Sequence, residues 1–247
     1  MQASPTLISP SSPDAATTFA RVLSSRRAVR DFSTRPLDRA LLDALLTAAG
    51  TAPSSLGVQP FEMHLVITEG ERAALARACN GQRAARSAQA LVAFVVGPSI
   101  TRRRVEESRA YYATAPIPQR SREYHQAGLT KLARSLTPLV LPLLGVARSF
   151  VTALFPSRGA LPLGAQGARD WAARSAMLAA QTLLLAATAH GVDSCPMEGF
   201  DGGEAARVLG LPRDAAPVLV VALGYRAEDA RLEPQWRRAL EQLVVTR

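Results

Sequence analysis

The chain has 247 residues, of which 48% are hydrophobic, 20% charged and 5% aromatic. This length and apolar content allow a full hydrophobic core, which excludes an intrinsically disordered protein. The 29 cations outnumber the 20 anions and give a net charge of +9, so nucleic acid, anionic membranes and phosphorylated ligands all stay open as partners. Two cysteines are too few for a disulfide framework or a cysteine metal site, which indicates a reducing compartment.

The N-terminal residues 1–18 are rich in Ser, Pro, Thr and Ala. They contain neither the basic stretch nor the apolar run of a secretory signal. We therefore predict a mobile tail over residues 1–18, a single domain over residues 19–247, and a cytoplasmic protein.

The first helix is predicted after Thr34, a candidate N-cap, with Pro36 near its first turn. Apolar residues follow at helical spacing as far as Gly50, which is placed to end the helix. These apolar residues are Leu37, Leu41, Leu42, Leu45, Leu46 and Ala49.

Later patterns predict a strand over residues 63–68 and a helix over residues 69–79. Apolar runs at residues 91–97 and 218–224 have the length of buried strands. Residues 170–190 are rich in Ala and Leu and apolar on nearly every side, which is typical of a helix buried in the middle of a fold.

Between the second strand and the buried helix lies a long segment over residues 98–169, of which residues 101–169 carry 11 cations and three anions. It opens with three arginines and a predicted helix through Tyr112. The run 136–155 approaches the apolar content of a membrane span, but two prolines, a glycine and an arginine interrupt it. We expect a broken helix that lies on the protein's own core, on a partner subunit or on a membrane surface.

Three segments could carry chemistry. Residues 26–32, Arg-Arg-Ala-Val-Arg-Asp-Phe, are either a solvated charged turn or a phosphate clamp of guanidinium groups. Residues 52–61, Ala-Pro-Ser-Ser-Leu-Gly-Val-Gln-Pro-Phe, are either an ordinary loop or a hydrogen-bonding wall for a flat heterocycle. Residues 195–201, Cys-Pro-Met-Glu-Gly-Phe-Asp, combine Pro and Gly in a way that suggests backbone presented closely to a ligand.

In this order, the three segments resemble the nitroreductase family of FMN-dependent oxidoreductases. The family pattern is R-R-S-x-R-x-F, then P-S-S-x-N-x-Q-P, then a P-x-x-G-F-D-like turn, a strand ending in Gly and a late basic pair. The resemblance covers residues 19–97 and 170–245. Three positions depart from it: Ala28 replaces the usual Ser, Gly57 the usual Asn and Phe61 the usual Trp.

The resemblance implies an α+β fold with a mixed, mainly antiparallel sheet surrounded by helices, in an intertwined homodimer with FMN at the interface. The implied phosphate-binding and pyrimidine-binding residues are Arg26, Arg27, Ala28, Arg30, Arg237 and Arg238. The implied flavin-contacting loop, which in this family usually belongs to the partner subunit, contains Pro53, Ser54, Ser55, Gly57 and Gln59. The turn over the flavin ring contains Pro196, Met197, Glu198 and Gly199; Asn80, Gln82 and Arg83 match a more loosely aligned contact.

The implied activity passes hydride from NAD(P)H through flavin N5 to a nitroaromatic, quinone or similar oxidised acceptor in a ping-pong cycle. No side chain is implied as catalytic, and no metal is expected. Another flavin reaction, such as dehydrogenation, oxidation or dehalogenation, stays open on the same scaffold. A peripheral membrane protein or a nucleic-acid-binding protein using residues 101–169 is the alternative of another class. Low aromatic content and the lack of a known nucleic-acid motif argue against the latter.

Overall fold

The structure is a computed structural model that describes residues 13–137, 141–154 and 164–247. The helices are α1 (Pro13–Ser25), α2 (Arg39–Gly50), α3 (Glu69–Ala78), α4 (Arg83–Ser87), α5 (Pro98–Thr114), α6 (Gln119–Ser135), α7 (Leu141–Leu154), α8 (Gly164–Ala189) and α9 (Gly202–Val208). The strands are β1 (Glu62–Val66), β2 (Ala90–Val96), β3 (Asp193–Met197) and β4 (Ala216–Gly224).

The four strands form one sheet in the order β1-β2-β4-β3, and all three strand pairs are antiparallel. Side chains of β2 alternate between two buried clusters. Leu91, Ala93 and Val95 belong to the cluster under α3, α4 and α9, whereas Val92 and Phe94 belong to the cluster under α2 and α8. Helices therefore cover both faces of the sheet, which confirms the predicted α+β class with a mainly antiparallel sheet.

The start of the domain differs from the sequence-based prediction. A helix, α1, begins at Pro13, so residues 13–18 of the predicted tail are helical, while residues 1–12 lie outside the described part. The N-cap of α2 is Asp38 rather than Thr34, because the Asp38 carboxylate accepts a hydrogen bond from Leu41 N at 3.3 Å. Gly50 is the last residue of α2 and Thr51 is its C-cap.

Strand β3 was missed because its sequence, Asp-Ser-Cys-Pro-Met, has little β-propensity. As an edge strand, β3 can include Pro196, which has no N–H to donate to a neighbour. The other predicted strands and the long buried helix are present, with ends shifted by a few residues.

The described part of the segment between β2 and α8 forms three helices, α5, α6 and α7. Helices α5 and α6 pack against each other through a small core, with Val105 and Leu129 fully buried, and α7 packs on α8. The break predicted within residues 136–155 lies between α6 and α7; residues 138–140 and 155–163 are outside the described part. Among the helices of the described ranges, none is long and apolar enough to cross a membrane.

Candidate functional site

The arginine-rich segment at residues 26–33 is an extended strip at the end of the sheet. Val29 N donates to Ser194 O of β3 at 3.0 Å, and Ser33 N donates to Tyr225 O just after β4 at 2.7 Å. Val29 and Phe32 point into the core, where they are almost completely buried. Because the apolar residues of the strip anchor it, its arginines are left at the surface beside β3.

A cleft of about 210 Å³ opens beside this strip. Four arginines line it: Arg26, Arg27, Arg30 and Arg237. Arg237 reaches the cleft because the C-terminal segment crosses over the arginine strip, where the Gln235 side chain donates a hydrogen bond to Arg26 O at 2.5 Å. The remaining lining residues are Ala28, Glu233, Pro234 and Gln235.

The charge of this arginine cleft is not neutralised by its neighbours. Within residues 13–137, 141–154 and 164–247, none of its four guanidinium groups forms an ion pair. The single carboxylate in the lining, Glu233, pairs instead with Arg231 at 3.0 Å. Four guanidinium groups around so small a space suit a phosphate group, which accepts several charge-assisted hydrogen bonds.

Arg238, the second member of the late pair, does not line this cleft. Its guanidinium carbon lies 5.0 Å from the centre of the Trp236 ring, in the range of a cation–π contact. The sequence therefore pointed to a basic pair of which the structure brings one member to the cleft. Gln235, which also lines the cleft, was not identified from the sequence. Its only sequence signal is its position two residues before Arg237.

The turn after β3 lies at the other end of the same strand. Gly199 O accepts hydrogen bonds from the Asn80 amide at 3.0 Å and from the Gln82 amide at 2.7 Å. These bonds hold the turn in place, so Asn80 and Gln82 support it, each with one N–H of its amide. In the described part of the chain, the N–H groups of Glu198 and Gly199 have no protein acceptor, and both residues are exposed.

The serine loop is held in its own unusual backbone conformation. Ser54 Oγ accepts a hydrogen bond from Gln59 N at 2.9 Å, and the Gln59 amide donates to Gly50 O at 2.5 Å. Leu56, Gln59 and Asn80 are the non-glycine residues with positive φ in the described ranges, at 57°, 48° and 55°. All three lie in segments singled out from the sequence, and such strained residues cluster at functional sites.

Helices α5 and α6 support the serine loop from one side. A Cβ atom placed on Gly57, whose φ is +69°, would lie 2.9 Å from the Tyr112 hydroxyl of α5. Leu56 packs against Gly128 of α6, and Tyr112 stacks on His125 with ring centres 4.0 Å apart. The loop then leads into β1, so it lies at the opposite edge of the sheet from β3 and the arginine strip.

Arg83 is engaged with another residue. Its guanidinium pairs with the Asp31 carboxylate, with an Nε–Oδ1 distance of 2.9 Å. This pair ties α4 to the arginine strip, so the Arg83 guanidinium has a carboxylate partner in its own protomer.

Neither cysteine offers a reactive thiolate at neutral pH. Burial raises the pKa of Cys79 to about 11. Burial also raises the pKa of Cys195, although the nearby Arg30 guanidinium partly offsets this. Because a thiolate is the nucleophilic form, the site offers charge and hydrogen-bond donors rather than a cysteine nucleophile.

Comparison with known proteins identifies the relatives of this chain. The model of the nitroreductase family matches residues 23–225. An NADH dehydrogenase from Thermus thermophilus is 28% identical over 90% of this chain and 92% of its own length. Among solved structures, a nitroreductase family protein from Streptococcus pneumoniae has a TM-score of 0.68 at 21% identity, covering 93% of this chain and 100% of that one. An FMN-bound protein from Exiguobacterium sibiricum has a TM-score of 0.66 at 21% identity, covering 93% and 97%.

Proposed function

This chain belongs to the nitroreductase family, and we propose that it is an FMN-dependent oxidoreductase that uses NAD(P)H to reduce a nitroaromatic, a quinone or a similar oxidised acceptor. The observation that carries the proposal is the arginine cleft. It gathers four guanidinium groups without an ion pair in the described ranges, beside the strand whose far end presents two free backbone N–H groups. A phosphate at one end and a flat polar ring at the other is the chemistry that this arrangement fits.

The residues divide into those that bind the phosphate and those that meet the ring. Arg26, Arg27, Arg30 and Arg237 would hold the FMN phosphate. The Glu198 and Gly199 N–H groups would donate to the ring, and Gly199 is fixed for this by two amide side chains on its carbonyl oxygen. When bound, FMN supplies the hydride-transfer chemistry at its N5 atom. Backbone donors near the ring, which need no reorganisation, would stabilise negative charge that develops there.

The nicotinamide and the acceptor would use the same exposed space over the turn in succession, which is the basis of the proposed ping-pong order. The Glu198 side chain is exposed and is not required as an acid or a base. Its role in the proposal is limited to its backbone N–H group, so Glu198→Gln should have little effect on turnover.

We also propose a homodimer. The serine loop and the arginine cleft lie at opposite edges of the sheet of one protomer. A flavin that contacts both would therefore need the arginine cleft of one protomer and the serine loop of its partner. The C-terminal segment carries apolar side chains that its own protomer leaves exposed, including Trp236 at 70% and Val245 at 81%. Their burial against a second copy would remove this apolar surface from water.

The test is a spectrum of the purified protein followed by turnover. We expect a yellow protein with FMN absorbance that oxidises NADH or NADPH in the presence of a quinone or a nitroaromatic. A colourless protein that fails to bind added FMN would contradict the proposal. A flavin that is reduced by another substrate, without any need for NAD(P)H, would instead favour a dehydrogenase or an oxidase on this scaffold.

A further inference from the structure

Helix α7 carries an apolar face that the rest of the described chain does not cover. Four large side chains are exposed there: Leu143 by 71%, Val146 by 73%, Phe150 by 68% and Leu154 by 59%. Their spacing of three, four and four residues places them on one side of the helix.

The opposite face of α7 is fixed to the protein. A Cβ atom on Gly164 of α8 would lie 2.5 Å from the Cα atom of Gly145, so the backbones of the two helices approach closely. Leu141 and Leu144 on α7 are partly buried. The helix is thus anchored through one side, and the exposed row is its outward side.

The stretch of sequence that contains this face carries charges of one sign. Residues 124–169 contain five cations and no anion. Two of the cations, Lys131 and Arg134, are exposed near the end of α6, and neither forms an ion pair within the described ranges. Leu141 N donates to Thr137 O at 3.0 Å, which places that basic end of α6 next to the start of α7.

We propose that this face of α7 binds the surface of an anionic lipid membrane, with the apolar row in the headgroup region and the basic residues at the lipid phosphates. An apolar row flanked by cations is the pattern of helices that lie in the membrane interface. With 14 residues, α7 is about 21 Å long. It is therefore too short to cross a hydrocarbon core of about 30 Å, and it would lie in the membrane plane.

A second copy of the chain suits this face less well. In a two-fold contact the same patch meets itself, so the cations near α7 would approach one another without a carboxylate from residues 124–169 to pair with. Lipid phosphates supply the missing negative charge. The proposal does not rest on the flavin, because α7 contributes no residue to the arginine cleft.

The test uses the complete protein with its bound cofactor in co-sedimentation with vesicles. We expect binding to vesicles of phosphatidylcholine mixed with phosphatidylglycerol, a decrease as salt is added, and little binding to phosphatidylcholine alone. The variant Val146→Glu with Phe150→Glu should bind anionic vesicles at least about tenfold less. The variant Lys131→Glu with Arg134→Glu should lose binding to anionic vesicles while any residual binding to neutral vesicles stays the same.

A matched control is available on α1. Phe19 and Leu23 are also exposed and four residues apart, so Phe19→Glu with Leu23→Glu introduces the same charges elsewhere and should leave vesicle binding unchanged. Failure of the wild-type protein to bind anionic vesicles would overturn the proposal, as would normal binding by the α7 variant. A lower mass of the α7 variant in sedimentation velocity, together with absent vesicle binding by the wild type, would assign the face to a second copy. Should the α7 variant not fold by circular dichroism, Val146→Ser with Phe150→Ser replaces it.

Discussion

The arginine cleft and helix α5 differ in whether their arginines are paired with carboxylates. In the cleft, four arginines face a space of about 210 Å³ without an ion pair in the described ranges. On α5, three of the four arginines are paired with carboxylates, including Arg104 with Glu107 at 2.9 Å and Arg109 with Glu106 at 3.0 Å. Residues 101–169 carry most of the excess positive charge. On α5, carboxylates offset much of that charge, whereas the cleft arginines have no ion pair within the described ranges. What distinguishes the cleft is that its one lining carboxylate, Glu233, pairs with Arg231 and leaves the cleft arginines without an ion pair in the described ranges.

The strongest test of this difference removes two arginines from each region. Arg26→Ala with Arg237→Ala should weaken FMN binding about 100-fold or more, because each lost charge-assisted hydrogen bond contributes about 1.5–3 kcal/mol. The measurement is an FMN titration of the apoprotein. Arg104→Ala with Arg109→Ala removes the same charge from α5 and should leave FMN affinity nearly unchanged.

Equal losses in the two double variants would show that FMN responds to overall charge, and the cleft would lose its special role. Arg238→Ala adds a finer control, because that side chain contacts Trp236 instead of lining the cleft. It should weaken FMN binding far less than Arg237→Ala.

The second test concerns the contact between α5 and the serine loop. Gly57→Ala should destabilise the protein by about 1–3 kcal/mol, because the residue has positive φ and its new Cβ atom would meet the Tyr112 hydroxyl. Removal of that hydroxyl by Tyr112→Phe in the Gly57→Ala background should restore part of the loss. Thermal or urea unfolding measures both effects.

Gly50→Ala is the matched control for that substitution. A Cβ atom on Gly50 meets nothing within 4 Å, and its φ is not positive. This change should leave stability unchanged or raise it slightly, since alanine is the better helix former. A comparable loss at both positions would mean that the Tyr112 contact is unimportant.

A third test separates stability from ligand binding with two similar amide bonds. Gln82 donates to Gly199 O at 2.7 Å, and Gln126 of α6 donates to Arg109 O at 2.9 Å. Each substitution by alanine should cost about 1 kcal/mol of unfolding free energy. Only Gln82→Ala should also weaken FMN binding, by a fewfold, because the Gly199 turn loses a support. A similar loss of FMN affinity in Gln126→Ala would argue against that turn as the ring contact.

The smallest effect is expected at the joint between β1 and α5. Burial acts to raise the pKa of Glu62, but the hydrogen bond with His64 and the charge of Arg103 outweigh it, so the net pKa is lowered. A lowered carboxyl pKa stabilises the folded state above the ordinary value of 4.5, and this contribution disappears as the pH falls through the folded-state pKa. Glu62→Gln should therefore flatten the acid side of the stability curve slightly. An unchanged pH dependence of the unfolding midpoint would contradict this assignment.

The sequence predicted the strands and helices that have a strong local apolar pattern. It did not predict the strand that forms only through pairing with a distant segment. Strand β2 and helix α8 have strong apolar runs, so their positions are evident. Strand β3 contains Asp193, Ser194 and Pro196, and it becomes a strand only because β4 lies beside it. The first arginines of the cleft stand close together in sequence. Arg237 was named only through the resemblance of the late basic pair to the family pattern, because no local pattern places it beside them. Arg83 and Arg238 looked available in sequence, but Asp31 and Trp236 engage them.

The hydrogen bond from Gln235 to Arg26 O joins residues 209 positions apart. During synthesis, the strip that carries Arg26 and Arg30 leaves the ribosome long before Arg237 exists, so the cleft can close only after β3 and β4 have been made. Contacts of such sequence separation form late, since the loop entropy must first be overcome. A phosphate bound by the arginine strip and by Arg237 would then link these two distant segments. We therefore expect the cofactor to slow unfolding from the ends of the domain, and its capture to mark the last stage of maturation.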